Sequence, residues 1–327
     1  MKEIQPLRLR VVDNLRAFHA LAPEWRAVHA ASEEQCPFLT WEWLYHWTTH
    51  YLGEDRLWIL LVVDAKDRLR GIAPFCLRRT RCRPWGTYRE VAFLGSRGVG
   101  SAYLDIIAAL NDKASVLACL GEYLLHQTSE AWDIVTLARL PSESMTIDAF
   151  QNRFDGAGKV AAIVEQTCYP TIDLPATVEA YRGAMRPSLR RTLQRKRRYL
   201  EQQGTITYRR TASAGDIAGA VETLSALHQK RWATPSHQGG AFGDSRFRAF
   251  HGEITRLFHT QGWLDISFLC LNGNPIAGIY GYRHERTYYY YLPGFDPEQA
   301  AKGSPGMVLL ADCIEQAISR SEERRVG

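Results

Sequence analysis

Residues 287–318 read TYYYYLPGFDPEQAAKGSPGMVLLADCIEQAI. The stretch opens on a tyrosine-rich strand, 287–292, and runs into Pro293-Gly294. A polar loop leads to Lys302-Gly303-Ser304-Pro305-Gly306, and an amphipathic helix follows from Met307. Pro305 in the first turn has no N–H to lose, and Gly306 permits close backbone approach. The first-turn amides are expected to be free, with the positive end of the helix dipole behind them. Such a turn is a pocket for a pyrophosphate, with Lys302 as a point charge.

Just upstream, residues 264–286 read LDISFLCLNGNPIAGIYGYRHER, and residues 57–79 read LWILLVVDAKDRLRGIAPFCLRR. Each is an apolar strand, an Asx- or Gly-bearing turn and a second strand, the signature of a β-hairpin. At an offset of 207, Gly71-Ile72 falls on Gly278-Ile279 and Phe75 on Tyr282 without gaps. A helical stretch precedes each hairpin, at 40–51 and 216–232. A strand follows each, at 90–94 and 287–292, then a helix, at 113–127 and 307–318. The shared order indicates a tandem duplication. The boundary is expected within the turn-rich stretch 141–175, giving units 1–170 and 171–327, with 160–166 as a last strand of the first.

The chain has 327 residues, 46% of them apolar, with 9 Trp, 15 Tyr and 12 Phe, enough for two cores and too much for a disordered chain. No apolar run approaches the roughly 18–20 residues that span a bilayer, and the start carries no secretory h-region. The seven cysteines read as reduced thiols, six of them in the core and Cys82 between arginines. These features point to the cytoplasm. His46 and His50 lack a carboxylate on their helix face, so no metal is expected.

Net charge is +5, and its position matters more than its size. Residues 182–198 hold eight basic side chains and no acidic one. Leu189, Leu193 and Leu200 with Gly204 mark a helix over 177–203, broken at Pro187, with the basic helix 188–203 starting at Ser188 as N-cap. Arg190, Arg191, Arg195, Lys196, Arg197 and Arg198 would offer a polyanion contact, to phosphate, RNA, acidic polysaccharide or anionic lipid.

The order helix, hairpin, strand, glycine loop, helix resembles the GNAT N-acyltransferases, most of all the CelD/BcsL-type acetyltransferases of cellulose and exopolysaccharide biosynthesis. These are similar to FemAB-type aminoacyltransferases in carrying two GNAT-like units. The resemblance rests on PFLTWEWLYHW at 37–47, REVAFLGS and YLDII within 89–107, LRRTLQRKRRYLEQQG at 189–204, LHQKRW at 227–232 and GFDPEQAAKGSPGMVLL at 294–310. It implies an α/β fold of tandem GNAT-like units, with mixed, mostly antiparallel sheets flanked by helices and a degenerate first unit. The family motif R/Q-x-x-G-x-G/A is replaced by KGSPG in the second unit. A literal match, Arg97 to Ala102, precedes a strand-like segment and reads as chance, with a second or relic cofactor site as the lesser reading.

The resemblance also implies acyl transfer from acetyl-CoA to an amine or hydroxyl of a small or glycan-type acceptor. Tyr291, Leu292, Gly294, Lys302, Gly303, Ser304, Gly306 and Met307 would bind the cofactor, with a backbone N–H near Tyr291–Leu292 polarising the thioester. Alternation places Tyr288 and Tyr290 on one face, Tyr289 and Tyr291 on the other. Tyr290, His284 and Asp265 are the catalytic candidates, within a wider set of bases that adds His228, Glu285 and Asp296. His228, Arg231 and Trp232 are the expected acceptor contacts. Two other readings stay open: a tRNA-dependent FemAB-like aminoacyltransferase, and a non-catalytic scaffold that binds a polyanion or a partner. A GNAT unit carries a further strand beside the fourth. The polar tail SRSEERRVG is not expected to supply it, so the second unit reads as truncated at its C-terminus.

Overall fold

The computed structural model describes residues 6–82, 86–127, 131–211, 213–234, 237–238, 240–320 and 325–326. The chain divides into two units, Met1–Gln166 and Thr167–Gly327.

The first unit begins with β1 (Arg8–Val12), α1 (Leu15–Ala20), α2 (Ala22–Ala31) and α3 (Trp41–Tyr51). The Thr40 side chain caps α3 by accepting the Trp43 N–H. Then come β2 (Arg56–Val63), β3 (Leu69–Cys82), β4 (Gly86–Phe93), β5 (Ile107–Ala108), α4 (Leu110–Glu122), β6 (Ile134–Thr136) and α5 (Met145–Gly156). The sheet order is β1-β2-β3-β4-β6, antiparallel except for β6 on β4, and β5 pairs with β3. The expected strand at 160–166 does not form. Residues 159–171 are irregular and Val160 is 96% exposed, so the apolar side chains there find no sheet to join.

The second unit runs β7 (Ile172–Asp173), α6 (Val178–Ala184), α7 (Pro187–Gln203), β8 (Ile206–Arg210), α8 (Ile217–Arg231), a small hairpin of β9 (Ala233–Thr234) and β10 (His237–Gln238), and α9 (Ser245–Thr260). It continues with β11 (Leu264–Leu271), β12 (Asn274–His284), β13 (Thr287–Phe295), α10 (Pro297–Gly303), α11 (Pro305–Ser319) and β14 (Arg325–Val326). The sheet order is β7-β14-β13-β12-β11-β8. On one face Ile279, Tyr288 and Leu269 pack with Leu200 of α7 and with Val308, Leu309 and Ile314 of α11. On the other, Tyr280 and Tyr282 meet His251 and Phe258 of α9. Pro187 takes the first position of α7 with Arg186 as N-cap, not Ser188, because a helix start loses nothing by lacking that N–H.

Two expectations about the repeat need correction. First, the ungapped offset of 207 holds only for the first strand of each hairpin. Trp58 opposes Phe75, and Asp265 opposes Gly281. Residues 58 and 265 differ by 207, but 75 and 281 by 206, so the turns absorb one residue. Because side chains alternate, that slip puts Gly71 and Gly278 on opposite faces. A Cβ on Gly71 would sit 2.4 Å from Val116 of α4, whereas one on Gly278 would meet Leu224 of α8. Second, the polar tail does supply a strand. β14 pairs in parallel with Thr287 and Tyr288, as β6 pairs with Glu90 to Ala92. A ladder needs only backbone donors and acceptors, so polar side chains do not forbid it.

The units differ at the fourth strand. In the second, β13 follows β12 from Thr287 to Phe295 with one bulge. In the first, β4 leaves β3 near Leu94, and β5 resumes the pairing at Ile107. Residues 94–106 fill the gap, with Leu94, Val99, Leu104 and Ile106 buried. Trp47 Nε1 donates to the Arg97 carbonyl (2.8 Å) and Trp43 Nε1 to Ser101 Oγ (2.9 Å), so the WEWLYHW helix clamps this loop. Arg97 to Ala102 therefore lies in a packed insertion and opens no helix.

Candidate active site

The second unit has an open strand edge. β14 pairs with β13 only at Thr287 and Tyr288, and no described strand borders β13 beyond that point. Opposite residues run Gly281 with Tyr290 and Tyr280 with Leu292, so Tyr291 is the extra residue of a bulge. Past the bulge the edge leads to Phe295. A Cβ on Gly306, in the first turn of α11, would have one neighbour within 4 Å, Phe295 Cδ1 at 3.4 Å. Arg231, at the end of α8, places its guanidinium 4.9 Å from the Phe295 ring and 5.0 Å from the Trp232 ring. Tyr290 is 37% exposed. Desolvation raises its phenol pKa, and the nearby Arg231 charge opposes the rise. An open edge, a bulge, a helix N-terminus and a cation thus converge on one side of β13.

Residues 187–325 match the family model of the acetyltransferase (GNAT) domain. The whole chain also resembles solved structures. One is FemX, at 10% identity over 93% of this chain and 86% of that one, with a TM-score of 0.59. Another is the C-terminal domain of a protein assigned as a lysylphosphatidylglycerol synthetase from Agrobacterium fabrum, at 10% identity over 94% and 78%, with a TM-score of 0.51. At such identities the likeness is one of fold. Among curated proteins none matches. The fold is α/β, of GNAT-like units with mixed sheets and flanking helices.

Within the second unit the structure redistributes the residues expected from sequence. Tyr290, Tyr291, Leu292, Gly306 and Met307 belong to the open edge and the helix start, and Arg231 and Trp232 stand beside them. Gly294 and Gly303 do not belong to the ligand side. A Cβ on Gly294 would lie 2.6 Å from the His228 backbone N, and one on Gly303 would lie 2.5 Å from Leu200 Cδ2. Both glycines let helices approach the strand or each other. Ser304 adopts left-handed φ of 43° between α10 and α11, and Lys302 is exposed. The first turn of α11 is less open than expected. The Met307 and Val308 amides return to the Ser304 carbonyl, at 3.0 and 3.3 Å, and Pro305 has no N–H, which leaves the Gly306 amide as the donor to offer.

The candidate bases are otherwise engaged. Asp265 is 2% exposed and lies 2.8 Å from Arg210, 3.5 Å from Arg320 and 3.7 Å from Arg283, while accepting from Ser267 Oγ at 2.7 Å. It is the centre of a charge cluster. His284 is buried edge-on against Trp263, 4.7 Å away, and pairs with Thr287 at the start of β13. Seven residues separate that point from Gly294, roughly 23 Å of strand. Glu285 is an exposed turn residue with φ of 51°. Asp296 caps α10 and pairs with Lys230 at 3.1 Å. His228 is buried, with Nδ1 2.9 Å from the Pro293 carbonyl and Nε2 3.3 Å from the Ala241 N–H. A neutral ring satisfies both contacts, and burial lowers its pKa, so it ties α8 to β13 instead of touching an acceptor.

The basic helix is also partly committed. Arg182 makes a two-pronged pair with Glu315 at 2.7 Å, Arg197 pairs with Asp312, and Lys196 donates to the Lys302 carbonyl. Arg186, Arg190, Arg191, Arg195 and Arg198 are exposed and make no ion pair among the described residues. A groove of about 520 Å³ is lined by Arg191, Gln194, Arg195, Arg198, Tyr199 and Gln202. Cys168, expected in a core, is exposed in the irregular stretch, and the Cys82 side chain lies outside the described residues.

His251 is the site residue that sequence reasoning missed. It is fully buried on α9, with Nδ1 3.1 Å from Tyr280 Oη and Nε2 3.1 Å from Tyr291 Oη. Burial pulls its pKa down to about 3. The unfolded chain takes up this proton below about 6.5, and the folded one does not until about 3. Stability is therefore lost as pH falls through that window, by about 1.4 kcal/mol per unit. Denaturant midpoints between pH 7 and 4 should fall less steeply for His251→Phe than for the wild type. Equal slopes would show that this histidine titrates normally.

Proposed function

We propose that the second unit transfers an acyl group from an acyl-CoA thioester, acetyl-CoA in the first instance, to an amine or hydroxyl. The observation that carries this is the contrast between the two fourth strands. β13 keeps an open edge through its bulge and ends at a helix start, whereas in the first unit the fourth strand is interrupted by the packed insertion 94–106. A pantetheine arm can pair with the open edge as an added strand would. Arg231 and the Gly306 amide stand where its pyrophosphate would end. An N–H at the bulge, from Tyr291 or Leu292, would polarise the thioester carbonyl. The acceptor class is a glycan or another small polar molecule, in keeping with the resemblance to exopolysaccharide acetyltransferases, and the donor places the reaction in the cytoplasm. The test is calorimetric titration with acetyl-CoA and with free CoA, then mass spectrometry of lysate metabolites acylated on addition of the protein. Saturable binding and a new acylated product are expected. Absence of CoA binding by the folded protein sinks the proposal.

The outward arginines of α7 support a second component, a polyanionic partner. No acidic residue pairs with Arg191, Arg195 and Arg198 among the described contacts, and Tyr199 lines the groove beside them. If the partner is tRNA, the aminoacyl-transfer reading gains weight. Charge reversal of Arg191, Arg195 and Arg198 together should then abolish tRNA retention at low salt, and wild-type binding should fall steeply with salt. Salt-independent or absent binding counts against a nucleic-acid partner.

A further inference from the structure

Arg191, Arg195 and Arg198 are spaced four and three residues apart, so they share one face of α7. Gln194, Tyr199 and Gln202 stand between and beyond them on that face, and the six line the groove of about 520 Å³. Sites for small molecules have volumes of roughly 300–1,000 Å³, so the groove is of that class. The residue types narrow the occupant. A guanidinium fork matches the oxygens of a phosphate, which an ammonium meets only as a point charge. A tyrosine face takes a planar base, and a glutamine amide can bond the adenine amino group and the ring nitrogen beside it together. Arg195 is four residues before Tyr199 and Gln202 three after, so cation, ring and amide follow one another along the helix. Tyr199 is half-buried and packs against the core that holds Leu200 and Leu309, which steadies its ring.

The groove also has a fixed place. Lys196 donates to the Lys302 carbonyl at 2.8 Å, and a Cβ on Gly303 would lie 3.4 Å from Tyr199 Cδ1. Gly303 is three residues from Gly306, at most about 11 Å of extended chain. Tyr199 therefore stands close to the turn that offers the Gly306 amide.

We propose that this groove takes the adenosine 3′-phosphate end of the acyl-CoA donor, with Arg195 and Arg198 on the phosphate and Tyr199 against the adenine. This rests on the acyl-CoA reading above. It makes the donor's own phosphate the anion that α7 meets, in place of a separate macromolecule. A phosphate monoester is close to doubly charged at neutral pH, and two guanidiniums balance it. In CoA the 3′-phosphate is one ribose away from the pyrophosphate. A donor whose pyrophosphate rests on the Gly306 amide thus brings its adenosine within reach of Tyr199. α7 then does more than cover the sheet: it sets the preference for CoA over thioesters that lack this phosphate.

Calorimetric titration of the full chain with CoA and with 3′-dephospho-CoA, which differ only in that group, tests this. The wild type should bind CoA about 30-fold more tightly, the worth of a doubly contacted phosphate. The double variant Arg195→Gln, Arg198→Gln removes two exposed charges. Its affinity for CoA should fall to that for 3′-dephospho-CoA, which it should bind within about twofold of wild type. Tyr199→Leu should weaken both ligands about tenfold and leave their ratio unchanged, because stacking does not sense the phosphate. Equal binding of the two ligands by the wild type overturns this inference and leaves the acyl-CoA reading standing. A preference for CoA that survives in the double variant overturns it too, by placing the 3′-phosphate elsewhere. If that variant keeps the preference but loses tRNA retention, the groove belongs to a nucleic acid. Failure of the wild type to bind either ligand overturns the donor reading and this one with it.

Discussion

Gly306→Glu should weaken acetyl-CoA binding by about 100-fold or more, with no loss of thermal stability. The substitution acts oppositely on the two quantities. A Cβ at this position meets only Phe295, and the φ is not left-handed, so the backbone accepts a side chain. A carboxylate in the first turn of α11 also complements the helix dipole, which is worth about 0.3–1 kcal/mol to the fold. For a pyrophosphate the same carboxylate is a like charge on the one amide that α11 has to offer. Two neighbouring glycines serve as contrast. Gly294→Ala drives a Cβ to 2.6 Å from the His228 amide nitrogen, which is backbone and cannot rotate away. Gly303→Ala meets Leu200 Cδ2 at 2.5 Å in a packed core. Those variants should lose about 1–3 kcal/mol of stability through overpacking, with or without ligand. Calorimetry and melting on the same samples separate the cases. Wild-type affinity in Gly306→Glu would remove the pyrophosphate from α11.

How much of this was legible in the sequence follows from the range of each interaction. The hairpins and the helix after the glycine turn are local patterns, and period-2 apolar runs with Asx-Gly turns announce them. The duplication was visible for the same reason. The one-residue slip between 207 and 206 was not, because turn conformation sets it and the glycines misalign by coincidence. The buried loop 94–106 was hidden by its glycines and arginine, which look like a phosphate loop until Trp43 and Trp47 are seen to hold it. The charge run looked wholly unpaired because its partners, Asp312 and Glu315, lie more than a hundred residues away. His251 carried a usable signal. Phe247, Ile254 and Phe258 are spaced four, three and seven residues from it, so it lies on the apolar stripe of α9. What could not be read was that Tyr280 and Tyr291 close on both of its nitrogens.

Asp265→Asn should destabilise the second unit by about 3–5 kcal/mol, the usual cost of breaking a buried pair. For a unit of this size that lowers its melting temperature by on the order of 10 °C. The carboxylate is 2% exposed and faces three guanidiniums from three elements: Arg210 on β8, Arg283 on β12 and Arg320 at the end of α11. Tyr208 Oη and Ser267 Oγ, 2.8 Å apart, extend the network toward the edge strand. An amide keeps the shape and removes the negative charge that the three guanidiniums face. A catalytic base would behave otherwise, since its replacement by the amide stops turnover and leaves melting unchanged. Arg320→Met should recover part of the loss in the Asp265→Asn background, because it removes one of the positive charges facing that position. Additive losses in the double variant would show that the two do not interact. The cluster also bears on the site at a distance. It fixes the C-terminal end of α11, whose other end presents the Gly306 amide, so the destabilised variant should hold acetyl-CoA more weakly even where it remains folded.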